Sequence, residues 1–171
     1  MKDAQGFDSK KNGVLKKTQY IHVRAYGDIN ANVWIDPNDR SKGKKDIIIS
    51  DSVLPAGGAT ICYLPSNNSS ATIRDATIGV SVCVNWENYS KEIGRGRALG
   101  AAMRSSNSYD LMTFDELVEV GMAEIREIIN KTLEFKENYF DNWYKDELQG
   151  IEAFRNMGES LEINKREKVK V

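Results

Sequence analysis

Residues 85–104 combine glycines and arginines in a segment whose pattern otherwise predicts a helix. Gly94, Gly96 and Gly100 each cost a helix about 1 kcal/mol relative to alanine. A sequence tolerates that cost where the backbone must closely approach another helix, a sheet or a ligand. Gly96 and Gly100 lie about one turn apart, so they predict a groove of small residues along one side of the helix.

Three arginines are interleaved with these glycines, and a guanidinium presents a planar fork of donors that matches phosphate oxygens. Arg97 and Arg104 are seven residues apart and therefore share a helix face. Arg95 lies about 200° around the helix from Arg97. In a regular helix the two cannot both point into one pocket of a single chain. Either one of them serves a second site or a neighbouring subunit, or the helix begins later than residue 88.

Aromatic and amide side chains precede the arginines. Tyr89 and Trp86 can give a nucleotide base a stacking face, and Asn85 and Asn88 can read a base edge or a ribose hydroxyl. A plainer interpretation stays open, in which the glycines only pack and the arginines are solvated or paired with carboxylates. The candidate ligand-binding residues are Tyr89, Arg95, Arg97, Arg104, Asn85, Asn88 and Trp86.

The candidates for catalysis or metal binding lack a supporting pattern. His22 is the single histidine and no GxSxG motif accompanies it, so we interpret it as a strand residue with one polar partner. Cys62 and Cys83 lie in apolar segments and are interpreted as reduced, buried thiols, with a disulfide or a reactive thiol as alternatives. Glu124 and Glu127 have no Glu-x-x-His partner. We expect no catalytic residue, no metal and no cofactor.

The elements that position these residues follow from hydrophobic periodicity and turn signals. Alternating or β-branched runs predict strands over 20–26, 31–35, 46–50, 59–64 and 77–84, with turns at Gly27 and at 55–58. Helices are predicted over 88–105, 114–140 and 142–157, and Thr113 with Glu116 forms a capping box for the second. The predicted class is α+β, an antiparallel sheet of about four to five strands followed by two to three helices.

Composition sets the domain organisation and excludes some function classes. The 171 residues are 40% hydrophobic with a net charge of −1, which disfavours a generic nucleic-acid or membrane binder. No apolar run is long enough to span a membrane, and the start does not resemble a signal peptide, so a cytoplasmic location is expected. We expect a flexible basic arm over 1–18, an α+β ligand-binding domain over 19–140 and a helical extension over 141–171.

Charge is distributed unevenly along the chain. Residues 1–109 hold 15 Lys and Arg against 10 Asp and Glu, whereas residues 110–171 hold 9 against 15. A basic first part permits an anion site there, and an acidic second part permits association of subunits through complementary faces.

Four short motifs together resemble a family of phage anti-defence proteins. They are Pro-Ala-Gly-Gly-Ala-Thr-Ile-Cys-Tyr at 55–63, Gly-Val-Ser-Val-Cys at 79–83, Tyr-Ser-Lys-Glu-Ile-Gly-Arg at 89–95 and Ala-Leu-Gly at 98–100. This pattern is similar to the anti-Thoeris sponges. Those proteins bind cyclic ADP-ribose isomers, and in some cases cyclic oligonucleotides, and sequester these bacterial immune messengers without cleaving them. The resemblance covers residues 20–104.

The resemblance implies roles for individual residues. Tyr89 takes the family's aromatic position and Arg95 its first helix arginine. The family's second arginine falls on Ala101 here, so Arg97 or Arg104 would have to substitute. A small nucleotide messenger as partner and a homo-oligomer, dimeric or higher, with pockets between sheet and helices near a subunit boundary, are also implied.

Other function classes remain open on the residues alone. An interaction module that binds a host protein through its acidic helices predicts Arg95 and Arg97 at the surface in salt bridges. A nucleotide hydrolase needs a general base, for which Glu87, Glu92 and His22 are the nearby candidates.

Overall fold

The computed structural model describes residues 13–66, 75–139 and 145–163, apart from the side chains of 85–86, 135–139 and 145–151. These residues form an antiparallel sheet and three helices, which confirms the predicted α+β class. The strands are β1 (Gln19–Trp34), β2 (Lys44–Pro65), β3 (Asp75–Asn88), β4 (Tyr109–Asp110) and β5 (Leu161–Ile163). The helices are α1 (Lys91–Arg104), α2 (Phe114–Tyr139) and α3 (Lys145–Glu159).

The sheet is built around three long strands that follow one another in the chain. Its order is β4-β3-β2-β1-β5, and all neighbouring strands are antiparallel. A short 3₁₀ turn at Arg40–Lys42 lies between β1 and β2, and the Asp39 side chain at its start accepts a hydrogen bond from the Ser41 amide.

The turns predicted at Gly27 and at 55–58 are wrong, because both segments lie inside continuous strands. The β1–β2 register shifts between Arg24 and Tyr26 and again between Gly27 and Ile29, and each time β2 carries the extra residues. Gly57 and Gly58 adopt positive φ angles of 80° and 146° within β2. Gly57 and Gly58, which resembled a chain reversal, therefore lie in a bulge of β2, which bends the strand without ending it.

The two faces of the sheet are covered by different helices. Alternate residues of β1, β2 and β3, among them Val23, Ile61 and Ile78, form the main core with α2 and α3. On the opposite face, Ala98 and Ala102 of α1 pack on Cys62. The sheet therefore lies between α1 on one side and the α2–α3 pair on the other.

Helix α1 packs closely against the sheet because glycines lie at the contact, one on the sheet and one on the helix. A Cβ added to Gly79 of β3 would overlap the backbone of Ala98 and Ala102, and one added to Gly94 would overlap the Thr60 hydroxyl. By contrast, a Cβ on Gly96 would meet nothing, and one on Gly100 would meet only the side chain of Arg104. The small-residue side predicted at Gly96 and Gly100 therefore contacts no other element among the described residues. The packing stripe is Gly94, Ala98 and Ala102.

Both ends of the described chain contact the main core. Residues 1–12 of the predicted arm lie outside the described residues, but the Leu15 amide donates to the Met112 carbonyl at 2.7 Å and Tyr63 Oη donates to the Leu15 carbonyl at 2.8 Å. In the predicted helical extension, Phe154 is buried in the main core and Leu161 pairs with Ala25 through β5. Residues 140–144 and 164–171 lie outside the described part.

Candidate functional site

The register of β1, β2 and β3 assembles a polar surface beneath α1. Because residues opposite one another on neighbouring strands share a sheet face, each register position contributes three side chains to the same face. One row consists of His22, Thr60 and Ser81, and the next consists of Arg24, Gly58 and Cys83.

A cavity of about 250 Å³ lies between this surface, the end of β3 and the first turns of α1. Helix α1 begins there with Ser90 as its N-cap, whose hydroxyl accepts a hydrogen bond from the Ile93 amide at 3.3 Å. The cavity wall includes Ser81, Cys83, Glu87, Asn88, Tyr89 and Arg97.

Tyr89 forms a fixed wall of the cavity. Its hydroxyl lies 2.6 Å from His22 Nδ1, 3.1 Å from Thr60 Oγ1 and 3.3 Å from the Ala59 carbonyl oxygen, to which it can donate. The guanidinium of Arg24 stacks 4.2 Å from its ring centroid. The ring rests on β2 at Gly58, where a Cβ would come within 2.8 Å of it. With one ring face already covered, Tyr89 shapes the cavity and does not offer both faces for stacking.

His22 anchors Tyr89 as a neutral side chain. Burial, together with the positive charges of Lys91, Arg95 and Arg24, lowers the pKa of His22 to about 4. At neutral pH the imidazole is therefore uncharged and is held by the Tyr89 hydroxyl. The predicted role, a strand residue with a polar partner, agrees with this geometry.

Arg97 lines the cavity, Arg24 stacks on its wall residue Tyr89, and the charges of Lys91 and Arg95 act on the neighbouring His22. Among the described residues, no carboxylate lies within 4.0 Å of Arg24, Lys91, Arg95 or Arg97. Arg24 donates to the Leu54 carbonyl at 2.9 Å, while its buried Nε has no hydrogen-bond partner in the described part of the chain. Lys91 and Arg95 are four residues apart on α1, a like-charge spacing that destabilises a helix slightly. Glu87 in the cavity wall offsets part of this positive charge.

The two cysteines are free thiols. Burial raises the pKa of the Cys62 thiol to about 11. Cys83 lines the cavity, burial raises its pKa too, and its Sγ donates to the Glu87 carbonyl at 3.3 Å. Neither thiol is poised as a thiolate nucleophile at neutral pH.

The structure brings together some of the predicted ligand-binding residues and separates others. Asn88, Tyr89 and Arg97 line the cavity. Arg95 is exposed, and its positive charge acts instead to lower the pKa values of Tyr20 and His22. Arg95 and Arg97 therefore point in different directions, as the helical spacing predicts. Arg104 is exposed at the far end of α1. The side chains of the predicted residues Asn85 and Trp86 lie outside the described residues.

Sequence reasoning missed four contributors to the site. Arg24 stacks on Tyr89, His22 and Thr60 contact the Tyr89 hydroxyl, and Ser81 lies in the cavity wall. The available signal was the strand alternation that places His22 and Arg24 on one face of β1. This alternation does not reveal the β1–β2 register, which places His22 opposite Thr60 and Arg24 opposite Gly58.

Comparison of the chain with protein-family models, with curated proteins and with solved structures finds no match. No helix in the described part of the chain combines the length and the apolar character needed to cross a bilayer. Within the same residues, no three His, Cys, Asp or Glu side chains cluster in a way that could hold a metal ion.

Proposed function

We propose that this protein binds an anionic nucleotide-type immune messenger, a cyclic ADP-ribose isomer or a cyclic oligonucleotide, and sequesters it without cleavage. It would thereby inhibit a bacterial defence system. The observation that carries the proposal is Arg97 in the cavity wall, with no carboxylate within 4.0 Å among the described residues, together with Arg24, whose guanidinium stacks on the wall residue Tyr89 and whose buried Nε has no hydrogen-bond partner in the same part of the chain. A phosphate group supplies the charge that these side chains lack.

The first turn of α1 adds to the attraction for an anion. Backbone N–H groups and the helix dipole favour negative charge at this end of a helix. Arg97 follows within two turns and faces the same cavity. Asn88 and Ser81 supply amide and hydroxyl groups that can bind a ribose or a base edge.

The cavity is smaller than most ligand pockets. Its volume of about 250 Å³ lies below the roughly 300–1,000 Å³ typical of small-molecule sites. One phosphorylated part of the ligand would occupy it, and the rest would extend over the exposed side chain of Ile93.

The protonation states of the site favour binding over turnover. His22 is neutral and engaged with Tyr89, and the Cys83 thiol is protonated at neutral pH. Glu87 is the carboxylate in the cavity wall, and a hydrolase would have to use it as the general base. The interaction-module alternative predicts that Arg95 and Arg97 lie at the surface in salt bridges; both are exposed, but neither has a salt bridge among the described residues.

The resemblance to anti-Thoeris sponges agrees with this proposal. It also supports a cytoplasmic site of action and a homo-oligomeric state, which we include in the proposal.

The experiment compares two arginines of α1 that differ in position. Arg97→Ala should weaken messenger binding about 10- to 100-fold, because a charge-assisted hydrogen bond contributes roughly 1.5–3 kcal/mol. Arg104→Ala, at the far end of the same helix, should leave the dissociation constant within about twofold. Isothermal titration calorimetry measures both. Equal losses in the two variants would place the ligand elsewhere.

A further inference from the structure

The outer halves of β1 and β2 form a two-stranded ribbon beyond the rest of the sheet. The ribbon consists of residues 27–34 and 44–52, paired from Gly27 with Ser52 to Trp34 with Lys44. The pairing of β2 with β3 stops at Ala56, and β5 pairs only with residues 23–25 of β1. Neither ribbon edge has a neighbouring strand among the described residues. A two-stranded ribbon is marginally stable alone in water, so a partner on one edge would stabilise it.

The two edges of the ribbon differ in how they are protected. The β2 edge carries Lys44, Lys45 and Asp46 and is interrupted at Asp51, which has a φ of 53°. Charges and irregularities of this kind discourage pairing with another strand. The β1 edge has no such protection over residues 29–35. This run, Ile-Asn-Ala-Asn-Val-Trp-Ile, contains no charged residue and no proline.

The β1 edge is also regular and accessible in the described structure. The register shifts of the β1–β2 pair place their extra residues on β2, so β1 keeps its alternation. Trp34 is 38% exposed and Ile35 is 49% exposed. Strand β5 runs antiparallel to β1, so its end at Ile163 points away from the ribbon.

The β1 edge is complementary to itself. In an antiparallel pairing of two copies centred on Ala31, Ile29 of each copy lies opposite Val33 of the other, and Asn30 lies opposite Asn32. The first pair joins two β-branched side chains and the second joins two amides, both favourable across strands. A two-fold axis requires this kind of self-complementary surface.

Charge complementarity extends the match at both ends of the segment. The same register sets the exposed Asp28 of one copy opposite Trp34 of the other. The Trp34 ring already holds Lys44 Nζ at 4.5 Å and the Arg40 guanidinium at 5.4 Å from its centroid. Asp28 of one copy would therefore lie beside two cations of the other.

We propose that residues 28–34 of β1 pair antiparallel with the same residues of a second copy of this chain, across a two-fold axis at Ala31. The two sheets then join into one continuous sheet. The apolar face of each ribbon, formed by Ile29, Ala31, Val33, Ile47 and Ile49, continues into that of its partner. This interface does not depend on the proposed ligand.

Sedimentation equilibrium of the full chain without ligand tests the interface. The wild-type protein should have the mass of two chains. Ala31→Lys sets two lysines against each other at the axis and should reduce the mass to one chain. The matched control is Ile48→Lys, on the other strand of the ribbon at a side chain that is 68% exposed, and it should remain dimeric. Mixing Ala31→Lys with Ala31→Asp should restore dimers.

A covalent readout covers the case in which Ala31→Lys fails to fold. The Cα atoms of directly opposed residues lie about 4.5–5.5 Å apart, within the roughly 4.4–6.8 Å that a disulfide spans, so Ala31→Cys should form an intermolecular disulfide under mild oxidation, whereas Ile48→Cys should not. A monomeric wild-type protein, a dimer that survives Ala31→Lys, or dissociation by Ile48→Lys would each overturn the proposal. So would the absence of crosslinking through Ala31→Cys.

Discussion

Tyr89 connects the sheet to α1 through side chains from two strands. Its hydroxyl contacts His22 of β1 and Thr60 of β2, and its ring stacks on Arg24. Its own backbone amide donates to the Pro55 carbonyl at 3.0 Å. The wall of the proposed binding cavity is thereby set before any ligand arrives, which reduces the ordering cost of binding.

The lowered pKa of His22 makes stability depend on pH. The folded-state pKa is about 4 and the unfolded value is about 6.5, so between these values the unfolded chain binds more protons. Stability should therefore fall as pH drops from about 6.5 to 4, by on the order of 3 kcal/mol. Urea unfolding at a series of pH values measures this slope.

The variant His22→Gln isolates the contribution of the imidazole. It keeps a polar side chain at residue 22 and leaves the exposed carboxylates unchanged, so their titration is common to both proteins. The slope between pH 4 and 6.5 should be smaller in the variant. An identical slope in the two proteins would mean that His22 does not titrate as described.

Single residues of the site were predictable only where neighbours in sequence are neighbours in space. Asn88, Tyr89 and Arg97 lie within one strand-to-helix junction, so local spacing identifies them. Arg24 and Ser81 reach the site through β-sheet register, which depends on bulges in β2 that local pattern does not reveal.

Helix α1 depends on glycine at residue 79 of β3 and at its own residue 94, but not at its own residue 96. Gly79→Ala should destabilise the protein by at least about 2 kcal/mol, because its Cβ would overlap the backbone of α1. Gly96→Ala should stabilise it by about 0.5–1 kcal/mol, because that Cβ meets open space and alanine favours a helix. Chemical denaturation of both variants measures the difference. Equal effects, or a destabilised Gly96→Ala, would contradict the observed packing.

The limits of the helices were more predictable than those of the strands. The α2 start at Phe114 follows from Thr113, whose hydroxyl accepts from the Glu116 amide at 3.3 Å as a cap should. The strand end predicted at Gly27 was wrong because β1 continues there opposite a bulge of β2, which the local pattern of β1 does not reveal. Strands β4 and β5 have two and three residues, too few for a periodic signal.

At the level of the whole molecule, α3 belongs to the main core. Phe154 is 1% exposed and packs with the residues that α2 and the sheet contribute. Phe154→Ala should therefore cost about 3–5 kcal/mol. The control Glu152→Ala removes an exposed ion pair with Arg155 and should change stability by less than about 1 kcal/mol. A small effect of Phe154→Ala on global unfolding would show that α3 is dispensable for the core.

The central claim is that the molecule holds a nucleotide messenger and returns it unchanged. Equilibrium dialysis against cyclic ADP-ribose isomers, cyclic di- and trinucleotides, NAD and ADP-ribose, followed by heat release and chromatography, tests this directly. One cyclic messenger should be retained in proportion to the protein and recovered intact. Recovery of an altered nucleotide would identify an enzyme, and retention of none would contradict the account and favour a protein partner.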